Sequence, residues 1–251
     1  MLSVRKVFSI LDLFSVERPV WTADEIIAAL SCSRPQGYRY IGSLCDAGFL
    51  VRFSSAYRLG VRAVELDFIV RESDPLLRAG LPVLKQVQQQ SGCDVLLISM
   101  VGDRVITVHH ERGTDPMTVT YGRGRSMPLF RGAGSKVILA SLPAAKQKQL
   151  FEKYYAAEPC RILGRDWEAV RASLKQIRRS GFAISRGELD SANVGLSVPI
   201  TYNLPVSYAS IVVVLSSVRY QTTDQDVIVQ MARSAAEQIS NAIGDGDAGH
   251  H

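Results

Sequence analysis

Residues 31–50 read SCSRPQGYRYIGSLCDAGFL, and the N-terminal fold turns on what a helix does with them. Ser33 stands where an N-cap side chain accepts a free amide, and Pro35 follows in the first turn, where a missing donor costs nothing. The helix so begun would bury Ile41, Leu44 and Cys45 on one side and stop at Gly48, which takes a left-handed cap without a Cβ penalty. Its early, outer side carries Arg34, Gln36, Tyr38 and Arg39. Arginine can pair bidentately with guanine and glutamine with adenine, while tyrosine or serine hydroxyls hold phosphates. Any one of these side chains could simply be solvated; together and in this order they predict a helix that reads DNA.

Upstream, Val4, Val7, Phe8, Ile10, Leu11 and Phe14 keep helical spacing and predict a first amphipathic helix over Val4 to Phe14. Thr22 with Glu25 three residues later makes a capping box that opens a second helix running to about Leu30. Downstream, FLVRF, the small-residue turn SSA and YRLG predict two short strands in a hairpin. Three helices and a hairpin describe a winged helix-turn-helix over residues 1–60, with its last helix in the major groove. Arg52 and Arg58 flank the hairpin turn, where a wing meets phosphates or the minor groove.

The segment VRAVELDFIVRE continues as a linker helix over residues 61–73. SDP at 73–75 breaks it, because the residue before proline is pushed out of helical geometry. A further helix is predicted from Pro75 to about Gln90, and beyond Gly92 the pattern turns to strands. CDVLLISMVGDRVITVHHERG reads as a hairpin turning at Gly102-Asp103, and MTVTYG, GFAISRGE, NVGLSVPI and YASIVVVLSSV as further strands. Helical stretches over 133–142, 143–154, 166–180 and 223–243 interleave with them. One sheet with helices packed on it makes an α+β sensor-type domain over residues 74–246.

With 47% hydrophobic and 21% charged residues the chain has the composition of an ordinary globular protein, and its 251 residues suit two domains or one large one. A net charge of +5 and a pI near 9.1 permit a polyanionic partner. No run approaches the ~18 apolar residues of a membrane span, and Arg5, Lys6, Asp12 and Glu17 interrupt any signal-peptide core. A cytoplasmic protein without membrane contact is expected. Cys32, Cys45, Cys93 and Cys160 are widely spaced and read as reduced core residues. His250 and His251 read as the remnant of a tag.

Signatures of catalysis are weak. GRGRSM lacks the third glycine of a dinucleotide loop, and GAGSK has its lysine on the wrong side of the serine for a phosphate loop. His109, His110 and Glu111 are consecutive on a strand, so their side chains alternate between faces and cannot converge on one metal. No catalytic residue, metal or cofactor is expected.

The stretches SVRKVFSILDLFS, RYIGSLCDAGFLVRFSSAYRLG, GRGRSMPLFRGAGSKVILASLP and RRSGFAISRGELDSANVGLSVPI resemble the IclR family of bacterial transcriptional regulators, over nearly the whole chain. The resemblance implies a winged helix-turn-helix, a helical linker and a GAF-like effector-binding domain. It also implies a homodimer or homotetramer on palindromic operators in double-stranded DNA, regulating a catabolic operon. By position, it implies that the amides of Ala133 and Gly134 hold a small organic acid, with Leu129 nearby. Unpaired amides at a helix start, backed by the dipole, suit such an anion. Ser185, Gly195, Val214 and Ser216 match side-chain positions on the opposing strands, and Arg131 would be a counter-charge. Gly195 and Val214 stand where relatives often place cysteine, and Ser185 where an acidic residue can occur. The implied effector therefore shifts from glyoxylate size to a larger or aromatic organic acid. Two readings stand: a ligand-responsive transcription factor, and a small-molecule sensor or enzyme whose N-terminal module serves dimerisation only.

Overall fold

A computed structural model describes residues 2–115, 117–201 and 208–247, and divides the chain into the units Met1–Ser73 and Asp74–His251. His250 and His251 lie outside the described residues.

In the first unit, helix α1 (Leu2–Ser9) is shorter than its apolar spacing predicts. At Ile10 the chain tightens into a 3-10 turn over Leu11–Leu13, with the Leu13 amide bonded to the Ile10 carbonyl, and this sinks Ile10 into the core. Strand β1 (Trp21–Thr22) precedes helix α2 (Ala23–Leu30), which opens on the reciprocal Thr22–Glu25 capping box. Helix α3 (Arg34–Asp46) starts with Ser33 at the N-cap position and Pro35 in the first turn. The Ser33 hydroxyl makes no capping bond, contrary to the expectation from sequence; Pro35, whose fixed φ suits a helix start, stands in the first turn instead. At the other end Gly48 has φ +74°, and the amides of Gly48 and Phe49 close on the carbonyls of Cys45 and Leu44, a Schellman motif.

Strands β2 (Leu50–Phe53) and β3 (Ala56–Leu59) form the wing hairpin. The sequence suggests only those two strands, but β1 adds to the free edge of β3 and gives the order β1-β3-β2. A two-residue strand carries too little alternation to be read from sequence. Ile10, Ile26, Tyr40, Ile41, Leu44 and Leu50 form one core beneath this winged helix-turn-helix. Helix α4 (Arg62–Ser73) completes the unit.

The second unit begins with helix α5 (Pro75–Ser91), capped by the Asp74 carboxylate on the amides of Leu76 and Leu77. Its strands are β4 (Asp94–Val101), β5 (Arg104–Glu111), β6 (Ser126–Met127), β7 (Ala183–Arg186), β8 (Asn193–Ile200) and β9 (Tyr208–Ser216). Its further helices are α6 (Ala133–Ser141), α7 (Ala144–Tyr154), α8 (Trp167–Ser180), α9 (Ser217–Thr222) and α10 (Gln225–Asp247). The sheet is antiparallel in the order β6-β5-β4-β9-β8-β7. Alternation along its strands fills two cores. Val95, Leu97, Ile211 and Val213 pack with α5 and α10, whereas Leu96, Ile98, Val212 and Val214 face α6 and α8. Helices on both faces of a curled sheet give a GAF-like α+β domain.

Two expectations fail here. MTVTYG is not a strand: Thr120 bonds the Asp190 carboxylate through both its amide and its hydroxyl, and the Thr118 carbonyl accepts from Asn193, so side chains satisfy this backbone instead of a neighbouring strand. The strand read over YASIVVVLSSV stops at Ser216, which caps the short α9, and the helix predicted over 223–243 follows as α10.

Candidate functional site

On α3 the residues singled out in the sequence are exposed. Ser33, Arg34, Gln36, Tyr38 and Arg39 are exposed, while Gly37, Tyr40, Ile41 and Leu44 turn inward at the helical period. Arg34 lies 3.1 Å from Asp24 of α2, a solvated pair that contributes little to stability and leaves the guanidinium available. In the wing, Arg52 is held by the Ser54 carbonyl at 3.2 Å, and the Arg58 guanidinium stands 5.1 Å from the exposed Phe53 ring. Glu65 is engaged by Arg62 at 2.8 Å.

A cavity of about 40 Å³ opens between the start of α6 and the sheet. Of the positions singled out in the sequence, Ala133, Gly134, Ser185, Gly195 and Val214 line it. The other three do not. Leu129 packs into the core beside it, and Ser216 spends its hydroxyl capping α9. Val212, two residues before Val214 and on the same face, is the second side chain that β9 contributes. Arg131 is turned aside as well, with Nε 3.3 Å from the Glu158 carboxylate and a guanidinium nitrogen 3.5 Å from the Glu188 carbonyl. The former pair is within ionic reach but poorly aligned, since both atoms are buried without a hydrogen bond. Arg131 is therefore no free counter-charge.

Close packing explains Gly134. A Cβ on Gly134 would stand 2.4 Å from Ile98 Cδ1 and 2.9 Å from Val212 Cγ2, so only glycine lets α6 approach the sheet this closely. Among the described residues the amides of Ala133 and Gly134 have no acceptor, and they are the positive end of the helix. The preceding amide, that of Gly132, donates to Glu188 Oε2 at 2.8 Å. The other Glu188 oxygen is ion-paired with Lys136, whose ammonium also donates to the Ile184 carbonyl at 2.7 Å. Both side chains are over nine-tenths buried. Removing one member of such a pair strands a buried charge and typically costs about 3–5 kcal/mol.

Glu188, Leu189 and Asp190 form the cavity's outer wall, and Val119 and Tyr121 of the irregular 117–122 segment stand beside them. Sequence reasoning missed these. The acidic run GELD between two strands is the signal that could have found them, since a carboxylate in a strand-to-strand loop needs a donor and α6 supplies one.

The histidines separate as alternation requires. His109 lies 2.9 Å from Glu111, while His110 turns to the opposite face and brings Nε2 to 3.3 Å from Asp94. No cluster of three or more metal-ligating side chains occurs among the described residues. All four cysteines are free, but Cys160 is exposed and only Cys93 is fully buried, which corrects the expectation of four core thiols. Burial pushes the Cys93 thiol up. Among the described residues no helix is long and apolar enough to cross a membrane.

The family model described as bacterial transcriptional regulator IclR C-terminal matches residues 70–241. The chain belongs to the IclR family. Relatives agree along nearly the whole length. The HTH-type transcriptional regulator KipR of Bacillus subtilis is 26% identical over 96% of this chain and 97% of its own. The regulator KdgR of Escherichia coli is 23% identical over 96% of this chain and 92% of its own. An IclR homologue from Microbacterium hydrocarbonoxydans, complexed with 4-hydroxybenzoate, superposes with a TM-score of 0.79 at 21% identity, covering 97% of this chain and 99% of that one. An IclR regulator from Alicyclobacillus acidocaldarius has the same TM-score at 20% identity, with 97% and 99% covered. The curated relatives are named as regulators, not enzymes, and this IclR-family chain is a DNA-binding transcriptional regulator.

Proposed function

We propose that this IclR-family regulator binds palindromic operators in double-stranded DNA as a homodimer or a pair of dimers, and that a small organic acid in the α6 cavity controls it. The observation that carries the reading is the pair of unengaged amides at Ala133 and Gly134, opening on a cavity whose far wall is the apolar Val212, Val214 and Gly195. Positive dipole ends suit the carboxylate, and the wall suits a ring or chain. That a structural neighbour carries 4-hydroxybenzoate fits an effector of this kind. The cavity is narrow, so a ring would have to push the 187–190 segment outward. Support for self-association comes from Phe8 of α1 and Val64 and Phe68 of α4, all more than half exposed. The regulated genes are those of a catabolic operon.

The test is a gel shift of the full chain on its own upstream DNA, with and without glyoxylate, pyruvate, benzoate and 4-hydroxybenzoate, alongside thermal melting. A true effector at 100 times its Kd adds ~2.7 kcal/mol of stability and changes the shifted fraction. A chain that ignores its upstream DNA and dimerises through the N-terminal unit would instead be a sensor.

A further inference from the structure

The carboxylate of Glu188 already stands where an anion at the start of α6 would be expected. It accepts the Gly132 amide at 2.8 Å, one residue ahead of the free amides of Ala133 and Gly134, and is neutralised by Lys136 from the next turn of the same helix. The residue belongs to the loop between β7 and β8, and that loop is fastened at three points. Glu188 caps α6. Leu189 lies against Gly132, where a Cβ would come within 2.7 Å of Leu189 Cδ1 and where φ is +82°, a left-handed backbone that favours glycine. Asp190 accepts the Thr120 amide at 3.1 Å and the Asn193 side-chain amide at 3.5 Å. All three of these loop residues wall the cavity.

We propose that Glu188 is a built-in stand-in for the effector carboxylate: it holds the 187–190 strap shut over the cavity, and an incoming acid takes over Lys136 and the α6 amides and releases it. The inference rests on the proposed use of this cavity for an organic acid. Two carboxylates facing one buried ammonium cannot both be neutralised, so the acid and Glu188 compete. Competition with an internal group weakens apparent affinity by the fraction of molecules in which the strap is open. It also supplies a two-state element whose position depends on ligand. Glu188 is thereby a specificity-determining residue, which admits ligands bearing an anion strong enough to replace it and excludes neutral isosteres.

The experiment uses the full chain with Glu188→Gln and Glu188→Ala. Glu188→Gln keeps the shape, removes the competing charge and leaves Lys136 seeking an anion. Benzoate, measured by calorimetry, should bind it about tenfold or more tighter than the parent, a shift in the ordinary range of coupling between states. Benzamide, equal in shape and uncharged, should gain nothing. In Glu188→Ala the carboxylate position is vacant, and acetate or formate should raise its melting temperature while leaving the parent's unchanged. Benzoate no tighter in Glu188→Gln than in the parent, an equal gain for benzamide, or no rescue of a folded Glu188→Ala by acetate would each overturn the proposal. Should Glu188→Ala fail to fold, the Glu188→Gln comparison decides by itself, and benzoate silent towards both parent and Glu188→Gln counts against it. If acetate rescues Glu188→Ala but no acid changes operator binding of the parent, the anion position stands and the effector reading of the cavity falls.

Discussion

Gly37 of α3 lies directly on Ile27 of α2: a Cβ at Gly37 would stand 2.2 Å from Ile27 Cγ1 and 3.0 Å from its Cδ1. This contact sets how closely the two helices of the helix-turn-helix cross, and so how far α3 projects. Gly37→Val should destabilise the N-terminal unit by about 1–3 kcal/mol through overpacking. Replacing Ile27 by alanine in the same molecule should return part of that loss, because the two side chains would share one space. Urea melting followed by Trp21 fluorescence in a Trp167→Phe background measures both. Additive losses would mean that the helices do not depend on this contact.

Arg39 is exposed on α3, its guanidinium 5.8 Å from the Tyr40 ring and free of any ion pair among the described residues. Arg39→Ala should weaken operator binding by about 1–3 kcal/mol while thermal stability and acid binding stay at parental values. Arg34→Ala should behave alike, since its solvated pair with Asp24 contributes little to folding. Gel-shift titrations against melting curves test this, and parental operator affinity in both variants would remove α3 as the reading helix.

Arg58 stands over Phe53 at the wing, where a stacked guanidinium is pre-positioned for a phosphate. Arg58→Ala should lower affinity about equally for specific and random DNA, and flatten the slope of log affinity against log salt by about one unit. An unchanged slope would show that the wing does not reach the backbone.

Much of this was legible in sequence because local signals agreed with the fold. The Thr22–Glu25 box, Pro35 and Gly48 each mark a helix end by backbone chemistry alone, and the apolar alternation from Val95 onward marks a sheet covered on both sides. What failed depended on distant groups. Ser33 sits at a cap position but leaves it unused. Residues 117–122 look like a strand by composition, yet Asp190 and Asn193 take their backbone bonds. In the cavity, Ala133, Gly134, Ser185, Gly195 and Val214 came together as positions carried over from a resemblance, while Arg131 and Ser216 were lost to Glu158 and to the α9 cap. The charge balance at α6 is set by Glu188, 52 residues away from Lys136 in sequence, and no periodicity reports such a pairing.

Asp103, in the β4–β5 turn, accepts from Lys146 at 2.6 Å and from Lys153 and Tyr154 at 2.9 Å each. These bonds, that of Lys146 foremost, hold its carboxyl well below the ordinary 3.8. A depressed folded value means that the stabilisation is complete above the unfolded pKa and drains away as pH falls below it. Asp103→Asn should therefore cost about 1–2 kcal/mol at pH 7, the range for charged hydrogen bonds reduced for partial exposure. The gap to the parent should close progressively below about pH 4. Urea melts at pH 7, 5 and 3 test this; a gap that stays constant with pH would mean that the charge is not what Lys146 and Lys153 recognise.

Gly195 forms the floor of the α6 cavity, on β8 opposite Val214 of β9 and Ser185 of β7. A Cβ there would meet Ser185 Oγ at 2.9 Å, with Val212 and Ala133 at 3.5 and 3.7 Å. Only the serine hydroxyl, which can rotate, stands too close, so the fold should accept a modest side chain. The cavity should not, because the three carbons of a valine side chain enter a space of only about 40 Å³. Gly195→Val should weaken acid binding at least about tenfold, equivalent to about 1.4 kcal/mol, and abolish the acid's effect on the gel shift. Operator affinity without acid should stay near the parent's, because the substitution lies in the second unit and the reading helix in the first. Calorimetry with the acid that shifts the parent, and gel shifts without it, measure the two halves separately. Undiminished acid binding in Gly195→Val would place the ligand elsewhere in the domain, whereas loss of both activities with a lowered melting temperature would show that the β7–β8 pairing, and not the cavity, had been damaged.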